Sequence, residues 1–383
     1  MRVLFIFGTR PEAIKLAPLI LHLRRFPERY QVQVCVTAQH RGLLDQVLAA
    51  FDVVPDFDLD LMTPGQTLFQ STSRIIAGME PVFADKPDLA IVQGDTTTAM
   101  CGALAAFYAQ VPVAHVEAGL RTGDMDQPFP EEMNRVLVSR IAALHFAPTE
   151  GAAENLRREG ITRAVSVTGN TGIDAVLYVR DRIARGEIEF ARAPVDARGK
   201  KLILITAHRR ESFGEGFERI CRALLAVAGR GDVHLVYPVH PNPNVQSVVK
   251  RHLGSHANVT LIEPLDYVPF VDLMSRAFVI LTDSGGIQEE GPSLGKPILV
   301  LREKTERPEA VAAGTVKLVG TEVDQIVTET NRLLDDPGEY ERMARIHNPY
   351  GDGHASERIE AVLRERARVN NASFVLNRVT EER

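Results

Sequence analysis

The sequence has few cysteines, no long apolar run and no excess of positive charge. Its three cysteines stand singly in apolar surroundings without the spacing of zinc ligands, which predicts buried free thiols in a reducing compartment. No segment is long and apolar enough for a signal peptide or a membrane span, so we expect a cytoplasmic protein that does not contact membranes. With 44 basic and 50 acidic residues, the net charge of −6 argues against a broad surface for nucleic acid. Any anion is therefore expected to bind in a local basic pocket.

Two cofactor signatures are also missing. No glycine-rich Gly-x-Gly-x-x-Gly turn follows the first predicted strand, which argues against NAD. His115 and Glu117 have the His-x-Glu spacing of zinc deaminases, but no Pro-Cys-x-x-Cys follows them, which excludes that metal site. The sequence thus supports neither an NAD site nor a zinc site of the deaminase type.

Short apolar runs alternate with helical patterns along the chain of 383 residues, which indicates an α/β fold with parallel sheets. The alternation pauses in a charged stretch at residues 185–200 and then restarts, so we expect two doubly wound, Rossmann-like domains. We assign residues 1–170 to the first domain and 171–354 to the second. Residues 355–383 are expected to form a helix that returns to the first domain, followed by a tail. The predicted strands are 3–7, 32–36, 89–92, 113–116, 143–147, 165–167, 201–207, 234–237, 259–262, 278–281, 298–301 and 316–319.

Polar clusters follow most of these strands, at the sheet edge where open parallel sheets bind ligands. If the two domains present these edges to each other, they enclose a cleft. The most informative cluster is TDSGGIQEE at residues 282–290, where small residues open a helix and expose backbone N–H groups to an anion. His240 and Arg307 can add charge, and Glu290 can reach a sugar hydroxyl. A diphosphate fits this site, although an ordinary serine-capped helix and a surface salt bridge of Arg307 are alternatives.

Three carboxylates in the first half can transfer protons. Asp95 ends a strand, Glu117 lies in an apolar segment, and Glu131 opens a helix. Each has a structural alternative: Asp95 can be a helix cap, Arg121 can neutralise Glu117, and acids are common in the first turn of a helix. Three such groups at one edge nevertheless favour proton abstraction and donation over simple binding.

Motifs along nearly the whole chain resemble those of the non-hydrolysing UDP-N-acetylglucosamine 2-epimerases. No single motif is decisive, but chance similarity of the complete ordered set is implausible. They are GTRPEAIK (8–15), QGDTTT (93–98), HVEAGLRTG (115–123), PFPEEMNR (128–135), TAHRRESFG (206–214), TDSGGIQEE (282–290), TERPE (305–309) and DGH (352–354).

This resemblance implies the two-domain fold of the GT-B glycosyltransferases, a UDP-sugar substrate and a homodimer. It implies a reaction that requires neither a redox cofactor nor a metal ion. It also implies C2 epimerisation of UDP-N-acetylglucosamine to UDP-N-acetylmannosamine, through elimination of UDP to 2-acetamidoglucal and its re-addition. By matching motifs, the acid/base candidates are Asp95, Glu117 and Glu131, and His208 is a catalytic or diphosphate-stabilising group. The implied substrate ligands are Arg10, Lys15, His240, Phe270, Ser284, Gly285, Gly286, Glu290 and Arg307, with Phe270 at the position that contacts uracil.

The resemblance also implies a second, activating site for UDP-N-acetylglucosamine that includes Gln39, His40 and Gln66. Gly42 and Gly65 stand where some relatives carry polar or basic side chains, which weakens this expectation.

Three other functions remain open from the sequence. A GT-B glycosyltransferase fits the fold and the diphosphate site, but it usually needs one base rather than three acids. A hydrolysing epimerase would release UDP and free N-acetylmannosamine. A UDP-sugar sensor would bind without catalysis, and would have no need of the acids.

Overall fold

The computed structural model describes residues 1–37, 41–63, 65–197 and 199–381, with the backbone alone for Arg41, Arg210 and residues 369–381. The chain divides into two compact units. The first contains Met1–Ala175 and the residues from Gly353 onward, and the second contains Val176–Asp352. For comparison, the sequence predicts domain boundaries at residues 170 and 354.

The first unit is built on a seven-stranded sheet in which every strand is parallel to its neighbours. Its strands are β1 (Arg2–Phe7), β2 (Gln31–Val36), β3 (Phe57–Asp58), β4 (Leu89–Gln93), β5 (Val113–Val116), β6 (Leu144–Ala147) and β7 (Val165–Val167). Its helices are α1 (Arg10–Arg24), α2 (Arg41–Ala50), α3 (Leu68–Met79), α4 (Thr97–Tyr108), α5 (Glu131–Ile141) and α6 (Glu150–Arg158). Helix α7 (Thr171–Ala184) contains the boundary between the units.

The second unit has a six-stranded parallel sheet. Its strands are β8 (Lys201–Thr206), β9 (Val233–Pro238), β10 (Val259–Ile262), β11 (Val279–Thr282), β12 (Ile298–Val300) and β13 (Val316–Leu318). Its helices are α8 (Glu215–Ala228), α9 (Pro243–Leu253), α10 (Tyr267–Arg276), α11 (Gly285–Glu290), α12 (Pro308–Ala313), α13 (Val323–Asp335) and α14 (Pro337–Ala344). The chain ends in α15 (Ala355–Glu381). Short 3-10 turns occupy Pro81–Phe83, Arg210–Ser212 and Gly291–Leu294.

The two sheets share one strand order. In the first unit it is β3-β2-β1-β4-β5-β6-β7, and in the second it is β10-β9-β8-β11-β12-β13. Each order reverses direction at its centre, between β1 and β4 or between β8 and β11. Such a switch point opens a crevice at the carboxyl ends of the strands, where ligands bind in folds of this kind. The predicted pair of doubly wound α/β domains is confirmed.

The central strands are almost entirely apolar between their ends because helices cover both faces of each sheet. In β1, residues from Val3 to Phe7 are at most 1% exposed, and β11 is buried throughout. Helix α1 follows β1 through a capping box, in which Thr9 and Glu12 bond each other's backbone N–H groups.

Helix α15 belongs to the first unit, where it packs along α1. Asp174 accepts hydrogen bonds from the backbone N–H groups of Ala355 (3.2 Å) and Ser356 (2.8 Å) at its start. Ile359 and Leu363 are 0% and 1% exposed, and burying each contributes about 1.5–3 kcal/mol to folding. The helix continues to Glu381 because no proline or glycine interrupts it, and it includes residues that the sequence predicts as a tail.

Every helix in the described part of the chain is too short or too polar to cross a lipid bilayer.

Candidate active site

Glu12 joins the two loops at the switch point of the first sheet. Its side chain is fully buried, and one oxygen accepts hydrogen bonds from the backbone N–H groups of Gly8 (3.1 Å) and Thr9 (2.8 Å) after β1. The other oxygen accepts a hydrogen bond of 2.6 Å from the hydroxyl of Thr96, after β4. Burial raises the pKa of Glu12, while these hydrogen bonds oppose the shift. Glu12 therefore fixes the loop that carries Asp95.

Glu117, directly after β5, has a left-handed backbone conformation with φ of 64°, which is uncommon for a residue other than glycine. Its Oε2 accepts a hydrogen bond from Gln93 Nε2 (2.9 Å) and forms an ion pair with Lys15 Nζ. Arg121, the partner considered from the sequence, pairs with Glu159. Strain of this kind often marks a functional residue, and here it is accompanied by a defined charge partner.

Asp95 forms an ion pair of 2.6 Å with Arg135 on α5. Burial raises the pKa of Asp95, Arg135 and Lys15 lower it, and the charge of Glu131 raises it. Lys15 thus acts on both Asp95 and Glu117, and Glu131 acts on Asp95. The three predicted acid/base residues are thus connected through Asp95 and Lys15.

In the second unit, Asp283 joins the two loops at the switch point. It is fully buried, and its Oδ2 accepts hydrogen bonds from the backbone N–H groups of His208 (2.6 Å) and Arg209 (2.7 Å) after β8. Asp283 itself follows β11 and precedes Ser284. It therefore ties the SGG turn to the His208 loop, as Glu12 ties the corresponding loops of the first unit.

Two guanidinium groups lie beside the SGG turn. A Cβ atom at Gly285 would lie 3.6 Å from Arg307 Nη2 and 3.9 Å from Arg209 Nη2. The Ser284 side chain makes no capping hydrogen bond to α11. The turn therefore combines small residues with concentrated positive charge, the chemistry that binds a phosphate.

Arg307 is held in place from its own loop and from α11. Its guanidinium forms an ion pair with Glu289, and its backbone N–H donates a hydrogen bond of 3.1 Å to the Thr305 hydroxyl. That hydroxyl donates a hydrogen bond of 2.6 Å to Gln288 Oε1. The arginine is thus positioned before any ligand binds, which reduces the entropy cost of binding.

His208 and His240 lie next to each other with parallel rings whose centroids are 5.0 Å apart. Burial and the charge of His208 lower the pKa of His240, while Asp283 opposes the shift. A neutral His240 can still donate one hydrogen bond to a phosphate oxygen.

The remaining predicted site residues have fewer contacts with the residues described above. Arg10 begins α1 and is partly exposed, and Phe270 lies partly buried on α10. Glu290 Oε1 reaches back to within 3.9 Å of a Cβ atom placed at Gly286. Gln66 Oε1 accepts a hydrogen bond of 3.4 Å from Arg74. Gln39 and His40 lie outside the described residues.

Gln93, Arg135 and Arg209 are the site residues that sequence reasoning missed. Each lies inside a quoted motif, but the motif does not show which acid or turn the side chain contacts. The described residues contain no group of three or more His, Cys, Asp or Glu arranged to hold a metal ion. The first unit thus offers acids and the second offers a phosphate site.

Comparisons with known proteins agree on one family. The model of the family described as UDP-N-acetylglucosamine 2-epimerase matches residues 23–364. A curated UDP-N-acetylglucosamine 2-epimerase of Salmonella typhimurium is 57% identical over 95% of this chain and 98% of its own length. The crystal structure of the Neisseria meningitidis enzyme bound to UDP-GlcNAc is 50% identical over 95% of this chain and 100% of its own, with a TM-score of 0.85. The Methanocaldococcus jannaschii enzyme in complex with UDP-GlcNAc and UDP is 32% identical over the same shares, with a TM-score of 0.75.

Proposed function

Because this chain belongs to the UDP-N-acetylglucosamine 2-epimerase family, and is therefore an isomerase, we propose that it interconverts UDP-N-acetylglucosamine and UDP-N-acetylmannosamine without hydrolysis. The observation that carries this proposal is the ion pair of Asp95 with Arg135, near Lys15 and Glu131, together with the ion pair of Lys15 with Glu117. Carboxylates with defined counter-ions suit proton transfer in both directions.

The chemistry requires elimination rather than direct deprotonation. The C2 carbon of the sugar is not next to a carbonyl, so its C–H bond is too weak an acid for a side chain to ionise alone. We propose that a carboxylate takes the C2 proton while the C1–O bond breaks, which leaves 2-acetamidoglucal and UDP. In the return step a UDP oxygen attacks C1, and a carboxylic acid protonates C2 from the opposite face. Asp95, Glu117 and Glu131 are the candidates for these two roles.

The departing UDP carries the negative charge that develops in elimination. We propose that Arg209, Arg307 and His240 bind the diphosphate together with the SGG turn at residues 284–286, and that His208 assists. Glu290 is proposed to bind the ribose and Phe270 the uracil, with Arg10 as a further substrate ligand. Lys15, which pairs with Glu117, is better suited to balancing the charge of the acids than to binding the nucleotide.

One incubation tests the reaction. Purified protein and UDP-N-acetylglucosamine in deuterated water should give deuterium at C2 of both sugars with UDP still attached, measured by NMR and mass spectrometry. Free N-acetylmannosamine with UDP would instead support the hydrolysing reaction. If UDP-N-acetylglucosamine stays unchanged on its own and is consumed only after an acceptor is added, the result would support a glycosyltransferase.

We further propose that UDP-N-acetylglucosamine activates the enzyme at a second site that includes Gln66. The reverse reaction started with UDP-N-acetylmannosamine alone should then show a lag, which a trace of UDP-N-acetylglucosamine abolishes. Replacing Gln66 with alanine should lengthen the lag without removing activity at high UDP-N-acetylglucosamine. A hyperbolic rate curve without a lag in the unaltered protein would contradict the second site.

A homodimer in the cytoplasm completes the proposal. The exposed Phe107 and Tyr108 at the end of α4 give the first unit an apolar surface that a second copy can cover. Cys35, Cys101 and Cys221 are all free and buried, which supports a reducing compartment. Sedimentation equilibrium should give twice the mass of the chain.

A further inference from the structure

Two consecutive residues of α5 hold Asp95. Asn134 Nδ2 donates a hydrogen bond of 2.9 Å to the backbone carbonyl of Asp95, and Arg135 Nη2 lies 2.6 Å from its carboxylate Oδ2. The helix therefore fixes both the backbone and the side chain of one acid/base candidate. Glu131, another candidate, lies one turn earlier on the same helix.

Arg135 is itself held rigidly. Its side chain is 12% exposed, and Nη1 lies 3.4 Å from Glu132 Oε2. Glu132 is 1% exposed and accepts hydrogen bonds of 3.1 Å from the backbone N–H groups of Thr122 and Gly123. The Nε atom of Arg135 is buried with no hydrogen-bond partner among the described residues.

We propose that Arg135 is a positioning residue, which fixes the orientation and the charge state of Asp95 during epimerisation. This inference rests on the proposed function, because it assigns to Asp95 a proton-transfer role. Arg135 acts through Asp95: in this ion pair Asp95 transfers the proton, and Arg135 does not.

The charges that face Asp95 come from two helices. Arg135 and Glu131 approach from α5, and Lys15 approaches from α1. Lys15 is also paired with Glu117 beyond β5, so it cannot replace the lost charge fully if Arg135 is removed. Because Arg135 lowers the pKa of Asp95 against the effect of burial, removing Arg135 must raise that pKa.

The test is the pH dependence of kcat/KM in Arg135→Met. An adjacent arginine lowers the pKa of an aspartate, so the limb of the profile that reports Asp95 should move to higher pH when Arg135 is removed. The affected limb moves to higher pH in either case. If Asp95 accepts the proton, this is the acidic limb, and if Asp95 donates the proton, it is the alkaline limb. Arg135→Lys keeps the charge but loses the fork geometry, and should move the limb less.

Arg121→Met is the matched control. Arg121 lies in the same unit with a side chain 9% exposed, and it forms a comparable ion pair with Glu159. Its loss should perturb packing to a similar degree and leave the limbs of the profile in place. Two outcomes would overturn the inference. In the first, Arg135→Met and Arg135→Lys both leave the limbs of the kcat/KM profile at the same pH as in the unaltered enzyme. In the second, Arg121→Met shifts the limbs as far as Arg135→Met does.

Two further measurements separate this inference from the proposed function. If Asp95→Asn still incorporates deuterium at C2 at the normal rate, the proposed role of Asp95 is wrong and the inference falls with it. If Asp95→Asn is inactive while the Arg135 variants keep normal limbs, only the role of Arg135 is wrong. UDP binding and circular dichroism should remain normal in Arg135→Lys, which excludes unfolding as the cause of a shifted limb.

Discussion

Replacing Glu117 with glutamine should lower kcat at least about 100-fold, the low end of the contribution of general acid–base catalysis. Glutamine keeps the size of the side chain and can still accept the hydrogen bond from Gln93, but it can neither take up nor release a proton in the required range. It also leaves Lys15 without the carboxylate that it pairs with in the structure. Asp95→Asn is expected to have an effect of the same size, since Asp95 lies in the same group of charges.

Turnover should be measured at saturating UDP-N-acetylglucosamine, so that a change in substrate affinity does not enter the result. Glu159→Gln is the control, because it removes a carboxylate of the same unit that pairs with Arg121. This control should keep a kcat near that of the unaltered protein. Normal turnover in both Glu117→Gln and Asp95→Asn would remove these residues from the chemistry.

Replacing Arg307 with methionine should weaken UDP binding about 10- to 150-fold. A hydrogen bond to a charged group contributes about 1.5–3 kcal/mol, and each 1.4 kcal/mol changes Kd tenfold. Arg307 is the guanidinium nearest to Gly285, and Glu289 holds it there. Isothermal titration calorimetry with UDP measures this effect independently of catalysis.

Glu289 is 4% exposed, so the loss of Arg307 also endangers the fold. Arg209→Met avoids that risk, because its partner Glu306 is half exposed at 3.8 Å, and it should weaken UDP binding in the same direction. Arg230→Met is the control, since Arg230 precedes β9 at the opposite edge of the sheet and pairs with Asp232 and Asp335. Unchanged UDP affinity in both Arg307→Met and Arg209→Met would refute the proposed diphosphate site.

Most of the fold is predictable from the sequence because parallel strands covered on both faces read as continuous apolar runs. Twelve predicted runs correspond to observed strands, from β1 to β13 without β3. The missed strand, Phe57–Asp58, has only two residues and therefore no periodicity to detect. Helix boundaries depend on local chemistry: α3 ends at Met79 and gives way to a 3-10 turn at Pro81–Phe83, because Pro81 has no N–H group to continue the helix.

The site is predictable only in part. Residue type and position at the ends of predicted elements single out Asp95, Glu117 and Glu131. The ion pairs of the site are not predictable in this way, because they join residues that are distant in the chain. Lys15 and Glu117, for example, are 102 positions apart. No local pattern indicates that a lysine of α1 reaches the end of β5 rather than a nucleotide.

The return of α15 to α1 has a consequence for synthesis on the ribosome. The second unit is one continuous stretch, Val176–Asp352, and can close its core as soon as that stretch has emerged. The first unit lacks Ile359 and Leu363 until the residues that follow the second unit have been translated. Domains usually fold in order from the N-terminus. Here the nascent chain should complete its second unit first, and the first unit should become resistant to protease only after Ile359 and Leu363 have emerged from the ribosome.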